Sequence, residues 1–175
     1  EAMELFNNTE TIGSIYEQSF NKNKLGSSAS KLRLVDFVAY CLNPNHFHFL
    51  VTPLVPKGVE KFMHRLGTGY TKYFNEKNKR TGSLFQGRYK AKHIDSNSYL
   101  LHLSVYINLN NRIQLGSSAS KLSRSSWNEY EGQSRERFCN PEIVMSQFQN
   151  FQDYSSFAKD AFDIILRRKQ LEKEF

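Results

Sequence analysis

Only two cysteines, Cys41 and Cys139, occur in 175 residues. They lie far apart in dissimilar settings, so they form neither a disulfide framework nor a zinc site, and a reduced cytosolic compartment fits them. No apolar run reaches the length of about 18 residues that a membrane-spanning helix needs. Carboxylates are in deficit, with 17 Asp and Glu against 24 Lys and Arg and a net charge of +7. The chain opens on Glu1, which fits a start inside a longer protein, and no signal peptide is readable. What is present is apolar and aromatic material, at 39% and 14% of residues. That suffices for the core of one domain with a small appendage. A basic, aromatic-rich domain of this size points to a polyanionic partner, nucleic acid first; a basic protein with no such partner is the plain alternative.

The most informative stretch is Tyr40-Cys-Leu-Asn-Pro-Asn-His46-Phe47-His48-Phe-Leu-Val-Thr-Pro53. Side chains alternate along a strand, so His46 and His48 share a face, with Phe47, Phe49 and Val51 on the other. Residues 33–42 alternate with Val, Phe and Tyr and read as the preceding strand. Asn43-Pro44-Asn45 is the turn between them. A hairpin joined so tightly is antiparallel. Both strands carry apolar residues on both faces and are expected to be central in a sheet.

Residues 57–79 read as a helix, with Val59, Phe62, Met63, Leu66, Tyr70, Tyr73 and Phe74 recurring at three and four. Residues 84–94 are expected to hold a third strand around Arg88-Tyr-Lys-Ala-Lys-His-Ile94. A second helix begins at a cap, Asp95 or Ser96, and runs to about Asn110. Residues 112–130 read as a long polar loop holding the only tryptophan, Trp127. Two more helices are expected over 141–150 and 154–174. Strand, strand, helix, strand, helix describes an α+β domain. The octapeptide Leu25-Gly-Ser-Ser-Ala-Ser-Lys-Leu32 recurs identically at Leu115–Leu122. It is too short for a structural repeat, and both copies read as linkers.

Two imidazoles on one strand face can hold a divalent cation. On the second helix Tyr106 and Asn110 lie one turn apart on one face. Taken singly, each feature is ordinary: a helical tyrosine is usually core, and a strand's histidines are usually its polar face. Together they suit phosphodiester chemistry. A phenol with a pKa near 10 is a weak nucleophile at neutral pH and needs activation. A cation on His46 and His48 polarises a phosphate and stabilises transition-state charge. Asn110 offers an oxygen donor. Mixed nitrogen and oxygen ligation suits Mn²⁺ and tolerates Mg²⁺, while zinc lacks a cysteine or carboxylate to complete a tetrahedron.

Three ordered segments carry a resemblance. They are Tyr40 to Val51, Phe74 to Lys92 with Arg80-Thr-Gly-Ser-Leu-Phe-Gln86-Gly-Arg88, and Tyr99 to Asn110; Ser125-Ser126-Trp127 and Tyr130 follow. The chain resembles the single-tyrosine HUH transposases of prokaryotic insertion sequences, closest to the REP-associated tyrosine transposases. The resemblance implies a ferredoxin-like antiparallel sheet with helices packed on one face. It implies a nuclease core over residues 33–130, after an N-terminal segment and linker at 1–32 and before a helical extension at 131–175. His46 and His48 would hold Mg²⁺ or Mn²⁺, with Asn110 as third ligand. Tyr106 would attack the phosphate of hairpin-forming single-stranded DNA and leave a 5′-phosphotyrosine link. Such a protein acts in the prokaryotic cytoplasm at the nucleoid, as a monomer or a homodimer. Residues 1–32 hold no match to the family's first strand, so either the sheet lacks an edge or the chain starts downstream of it.

Arg80, Gln86, Arg88, Lys90 and Lys92 are candidate DNA contacts, the last three of these basic residues on one face of the expected third strand. A solvated basic face is the alternative. Arg167-Arg168-Lys169 reads as a solvated helix face or an added DNA contact. The rival function is a module that binds structured nucleic acid without cleaving it.

Overall fold

A computed structural model describes residues 2–10, 32–112 and 122–171, with side chains to residue 169. The linker copies, apart from Leu32 and Leu122, lie outside the described residues. The elements are α1 (Ala2–Phe6), β1 (Val35–Leu42), β2 (Phe47–Pro53), α2 (Gly58–Asn78), α3 (Asn97–Asn108), β3 (Arg124–Ser125), α4 (Trp127–Tyr130), α5 (Glu142–Met145) and α6 (Phe151–Leu171). The described strands form one antiparallel α+β sheet in the order β2-β1-β3. The chain divides into two compact units, residues 1–36 with 52–92, and residues 37–51 with 93–175.

In the first unit α2 buries Phe62 and Leu66, one turn apart, as its periodicity predicts. Its flanking residues Lys57 and Lys79 both take left-handed conformations, at φ 58° and 51°. Helix α1 packs on α2. The packing depends on Gly69, where a β-carbon would overlap the ring of Phe6. Asn7 closes the join to β1. Its Oδ1 accepts from the amides of Leu34 (3.1 Å) and Val35 (2.9 Å), and its Nδ2 donates to the Val35 carbonyl (2.8 Å). The Arg65 guanidinium donates to the carbonyls of Asn8, Thr9 and Glu10.

The second unit holds the hairpin from Phe37 to Val51 and the helices from α3 onward. Its core includes Val38, Ala39, Leu50, Val105, Ile107, Tyr130, Val144 and Tyr154. Helix α3 starts where its cap predicts. Ser96 is extended, at φ −137°, and its hydroxyl accepts from the Tyr99 amide (3.4 Å). Helices α5 and α6 both pack on α3. On the sheet, Phe47 and Phe49 stack on each other, and Phe49 meets Phe37 edge-on at 5.3 Å.

Three expectations need correction. Residues 80–96 form no strand, so Arg88, Lys90 and Lys92 share no strand face. The run has no buried side to anchor a ladder: residues 86–93 are exposed, and Gly82 and Gly87 take positive φ. The third strand is instead Arg124–Ser125, paired with Leu42 and Cys41 inside the stretch expected to be loop; Trp127 then opens α4. Only β1 is central, and β2 is an edge of the sheet formed by the described residues.

Candidate active site

The hairpin turn presents the two imidazoles. The Asn43 amide donates to the His46 carbonyl (2.9 Å), which closes the turn. His46 and His48 then project from successive alternate positions, with ring centroids 5.1 Å apart in a T-shaped arrangement. Tyr106, half-buried on α3, sets its ring edge-to-face against His48 at 5.5 Å. Asn110, just past the end of α3, is fully buried. Its Oδ1 lies 3.3 Å from His46 Nε2. Tyr106, His46, His48 and Asn110 thus converge within the second unit. Arg80, Gln86, Arg88, Lys90 and Lys92 all belong to the first unit and are exposed. The Arg80 guanidinium also donates to the Ser83 carbonyl (3.1 Å) and lies over the Phe74 ring.

What holds α3 in place is a buried polar network. Asn108 Nδ2 donates to the Tyr154 hydroxyl (3.1 Å), and the Ser126 hydroxyl donates to Asn108 Oδ1 (2.5 Å). Ser104 pairs with the same Tyr154 hydroxyl (3.1 Å). Ser126 in turn accepts from the Tyr40 amide of β1 (2.9 Å). Sheet, tyrosine helix and α6 are therefore tied through side chains that face neither solvent nor the site. Glu129 secures the next layer. Its carboxylate accepts from the Tyr40 hydroxyl (3.0 Å) and from the amides of Phe138 (2.8 Å) and Cys139 (2.7 Å). Burial, with the Glu129 charge second, pushes the Tyr40 phenol above its ordinary value. Tyr40 is thereby kept a protonated donor.

Hydrogen bonding sets the tautomer of His46, and burial acts on His48. His46 Nδ1 lies 2.7 Å from Asn45 Oδ1, which only accepts, so Nδ1 carries the proton. Nε2 is then a lone pair directed at Asn110 and Asn43. His48 is pushed below its ordinary pKa, chiefly by burial, then by His46 and by Lys169. Its Nε2 is shielded from solvent and has no hydrogen-bond partner among the described residues. A buried nitrogen without a partner costs roughly 1–3 kcal/mol unless something else meets its lone pair.

These observations fit a hard divalent cation. The groups that could hold it are His46 Nε2 and Asn110 Oδ1, 3.3 Å apart, and His48, whose ring lies 5.1 Å from that of His46 and whose Nε2 has no partner among the described residues. No third His, Cys, Asp or Glu joins the pair among the described residues, so the donor set is nitrogen and carboxamide oxygen.

Three residues near this centre escape sequence reasoning. Asn45 orients His46 and sits beside it in the chain, where an acceptor next to a candidate ligand is a usable signal. Asn43 donates through Nδ2 to His46 Nε2 and to Asn110 Oδ1, both at 2.9 Å. Burial raises the neighbouring Cys41 thiol above its ordinary pKa, and its S–H donates weakly to Asn43 Oδ1 at 3.6 Å. Lys169, read only as part of a basic run, sets its Nζ 6.0 Å from the Tyr106 ring centroid. Only the packing of α6 on α3 reveals that approach.

The sheet thus sets its paired imidazoles against a tyrosine on a helix. A family model described as "Transposase IS200 like" matches residues 16–110, more than half the chain and inclusive of all four converging residues. The chain belongs to this family of transposases, enzymes whose partner is DNA and which generally use divalent metals. No curated protein and no solved structure matches it. No helix among the described residues is long and apolar enough to cross a membrane.

Proposed function

We propose that the protein is a metal-dependent nickase and strand transferase for single-stranded DNA, acting through a 5′-phosphotyrosine intermediate. The observation that carries this reading is the packing of the Tyr106 ring against His48, whose buried Nε2 has no partner among the described residues. Membership of the transposase family supports it. His46, His48 and Asn110 would hold Mg²⁺ or Mn²⁺. The bound ion would polarise the scissile phosphate and neutralise charge that develops on it.

The chain's own groups account for the rest. Tyr106 brings the nucleophile, and α3 holds it against the imidazoles without a mobile linker. Lys169 places a positive charge beside the ring, 6.0 Å from its centroid. The phenolic oxygen forms a bond to phosphorus and the bond to the 3′-oxygen breaks. The phenol loses a proton and the departing 3′-hydroxyl gains one, so the step is balanced. Because the new ester keeps the energy of the old one, a 3′-hydroxyl can reverse the reaction and join strands. The exposed Arg80, Gln86, Arg88, Lys90 and Lys92 are assigned to the DNA, with Gln86 at a base or backbone and the others at phosphates. We assign residues 33–130 to the nuclease core, 1–32 to an N-terminal segment and 131–175 to a helical extension. The substrate is hairpin-forming single-stranded DNA, as for the REP-associated branch, and the setting is the nucleoid. The protein acts as a monomer or a homodimer.

The test is incubation of labelled hairpin DNA with the protein and Mn²⁺, then denaturing electrophoresis and mass spectrometry of the adduct. A covalent band mapped to Tyr106 is expected. It should vanish in Tyr106→Phe while the gel shift on the same hairpin persists. An adduct formed by Tyr106→Phe at the unmodified rate would rule out this nucleophile. A shift with no covalent band in the unmodified protein would favour the binding module.

A further inference from the structure

We propose that Asn43 is a fourth donor to the cation, held in the opposite amide orientation while no cation is bound. The proposal rests on the reading that His46, His48 and Asn110 form a cation site. The Asn43 Nδ2 group stands 2.9 Å from His46 Nε2 and 2.9 Å from Asn110 Oδ1, and donates one proton to each. Those are two of the three atoms assigned to the ion. The amide therefore meets them with N–H groups when no ion does. The same amide turns its oxygen to Cys41, whose thiol lies 3.6 Å from Oδ1.

A half-turn about the terminal side-chain bond exchanges the two ends. Oδ1 then joins His46 Nε2 and Asn110 Oδ1 in facing the ion, and Nδ2–H points to Cys41 sulfur, a weak acceptor. Both orientations leave the amide bonded at each end, so exchange needs no new cavity. The backbone of Asn43 is pinned throughout by its bond to the His46 carbonyl (2.9 Å). The completed set is two imidazole nitrogens and two carboxamide oxygens. Added oxygen character favours a hard ion such as Mn²⁺. The arrangement also separates the histidines by role: His46 Nε2 has a partner in Asn43, whereas His48 Nε2 has none among the described residues.

The experiment titrates Mn²⁺ into the full chain without DNA and follows loss of the six-line resonance of the free aqueous ion. Asn43→Ala should bind Mn²⁺ about tenfold more weakly, as loss of a donor or of its support costs metal sites. Asn43→Asp, which keeps the shape and replaces the N–H end with a permanent oxygen, should bind it about tenfold more tightly, since ligand charge raises affinity. Asn43→Ala binding as tightly as the unmodified chain, or tighter, would overturn the proposal and leave the amide a plug. Weaker binding by Asn43→Asp would overturn it too. Failure of the underlying reading looks different: the unmodified chain takes up no Mn²⁺, or His48→Ala takes up as much.

Discussion

Replacing His48 with leucine separates the cost of the site from its use. In the metal-free chain His48 Nε2 is enclosed and unpartnered among the described residues, a burden of roughly 1–3 kcal/mol. The ring returns part of that through edge contacts with His46 at 5.1 Å and Tyr106 at 5.5 Å, each at the low end of aromatic pairs, about 0.5 kcal/mol. Because burial above all holds the ring below its ordinary pKa, the substitution removes no charge at pH 7. Leucine occupies a similar volume and has no lone pair. His48→Leu should therefore stabilise the metal-free protein by about 1 kcal/mol, which for a chain of this size raises the melting temperature by roughly 2–4 °C. With Mn²⁺ the order should reverse. Mn²⁺ at a hundred times its dissociation constant stabilises the unmodified chain by about 2.7 kcal/mol and His48→Leu not at all. The assay is thermal unfolding in chelator and in Mn²⁺. Melting of His48→Leu in chelator several degrees below the unmodified chain would refute the reasoning, because the imidazole would then be a structural anchor. A full Mn²⁺ response in His48→Leu would refute the ligand assignment.

Asn108→Ala strips two buried partners, the Tyr154 and Ser126 hydroxyls, and should cost about 2–4 kcal/mol in urea unfolding; a loss below about 0.5 kcal/mol would show that the network does not hold α3. The pH dependence has a definite sign. His48 has a lower pKa folded than unfolded, so on acidification the unfolded chain takes up the proton first. Stability of the metal-free protein is full above the ordinary value of 6.5 and falls as pH drops from there toward the folded pKa. The advantage of His48→Leu in chelator should widen between about pH 6.5 and pH 5, and a narrowing gap would contradict the assigned shift.

What the sequence discloses here is what sits close together in the chain. The hairpin, the helix over residues 58–78 and the Ser96 cap all follow from alternation, spacing and side-chain chemistry within a few residues. The neighbourliness of His46 and His48 follows from strand pleat alone. The approach of Tyr106 to His48 crosses 58 positions, and resemblance to a family, not periodicity, suggested it. The third strand failed for a physical reason. Arg88-Tyr-Lys-Ala-Lys has the alternation of a strand, but its Tyr89 and Ala91 face stays exposed, and a ladder needs a surface to bury. Arg124–Ser125, two residues long and polar, pairs because Ser126 beside it bonds both backbone groups of Tyr40, accepting from its amide (2.9 Å) and donating through its own amide to the carbonyl (3.0 Å). No window of sequence shows that.

Asn108 and Asn110 illustrate how a structure divides scaffold from site when residue type does not. Both are completely buried at the end of the same helix, two residues apart. Asn108 is bonded at both ends, to Tyr154 and Ser126. Asn110 uses its oxygen but leaves Nδ2 without a partner among the described residues. Within the second unit, the buried side-chain atoms that share this condition are His48 Nε2, Asn110 Nδ2 and Asn111 Oδ1. All three lie at the imidazole pair or at the end of the tyrosine helix. Folding alone selects against such atoms, since each is a polar group taken from water without return. The Glu129 carboxylate, buried nearby, has a donor on each oxygen. On the proposed reading, a bound cation would supply the contact that His48 Nε2 lacks. On that reasoning Mn²⁺ should protect the amides of α3 from hydrogen exchange in the unmodified chain and leave them unchanged in His48→Leu. Equal protection in the two proteins would place the metal elsewhere.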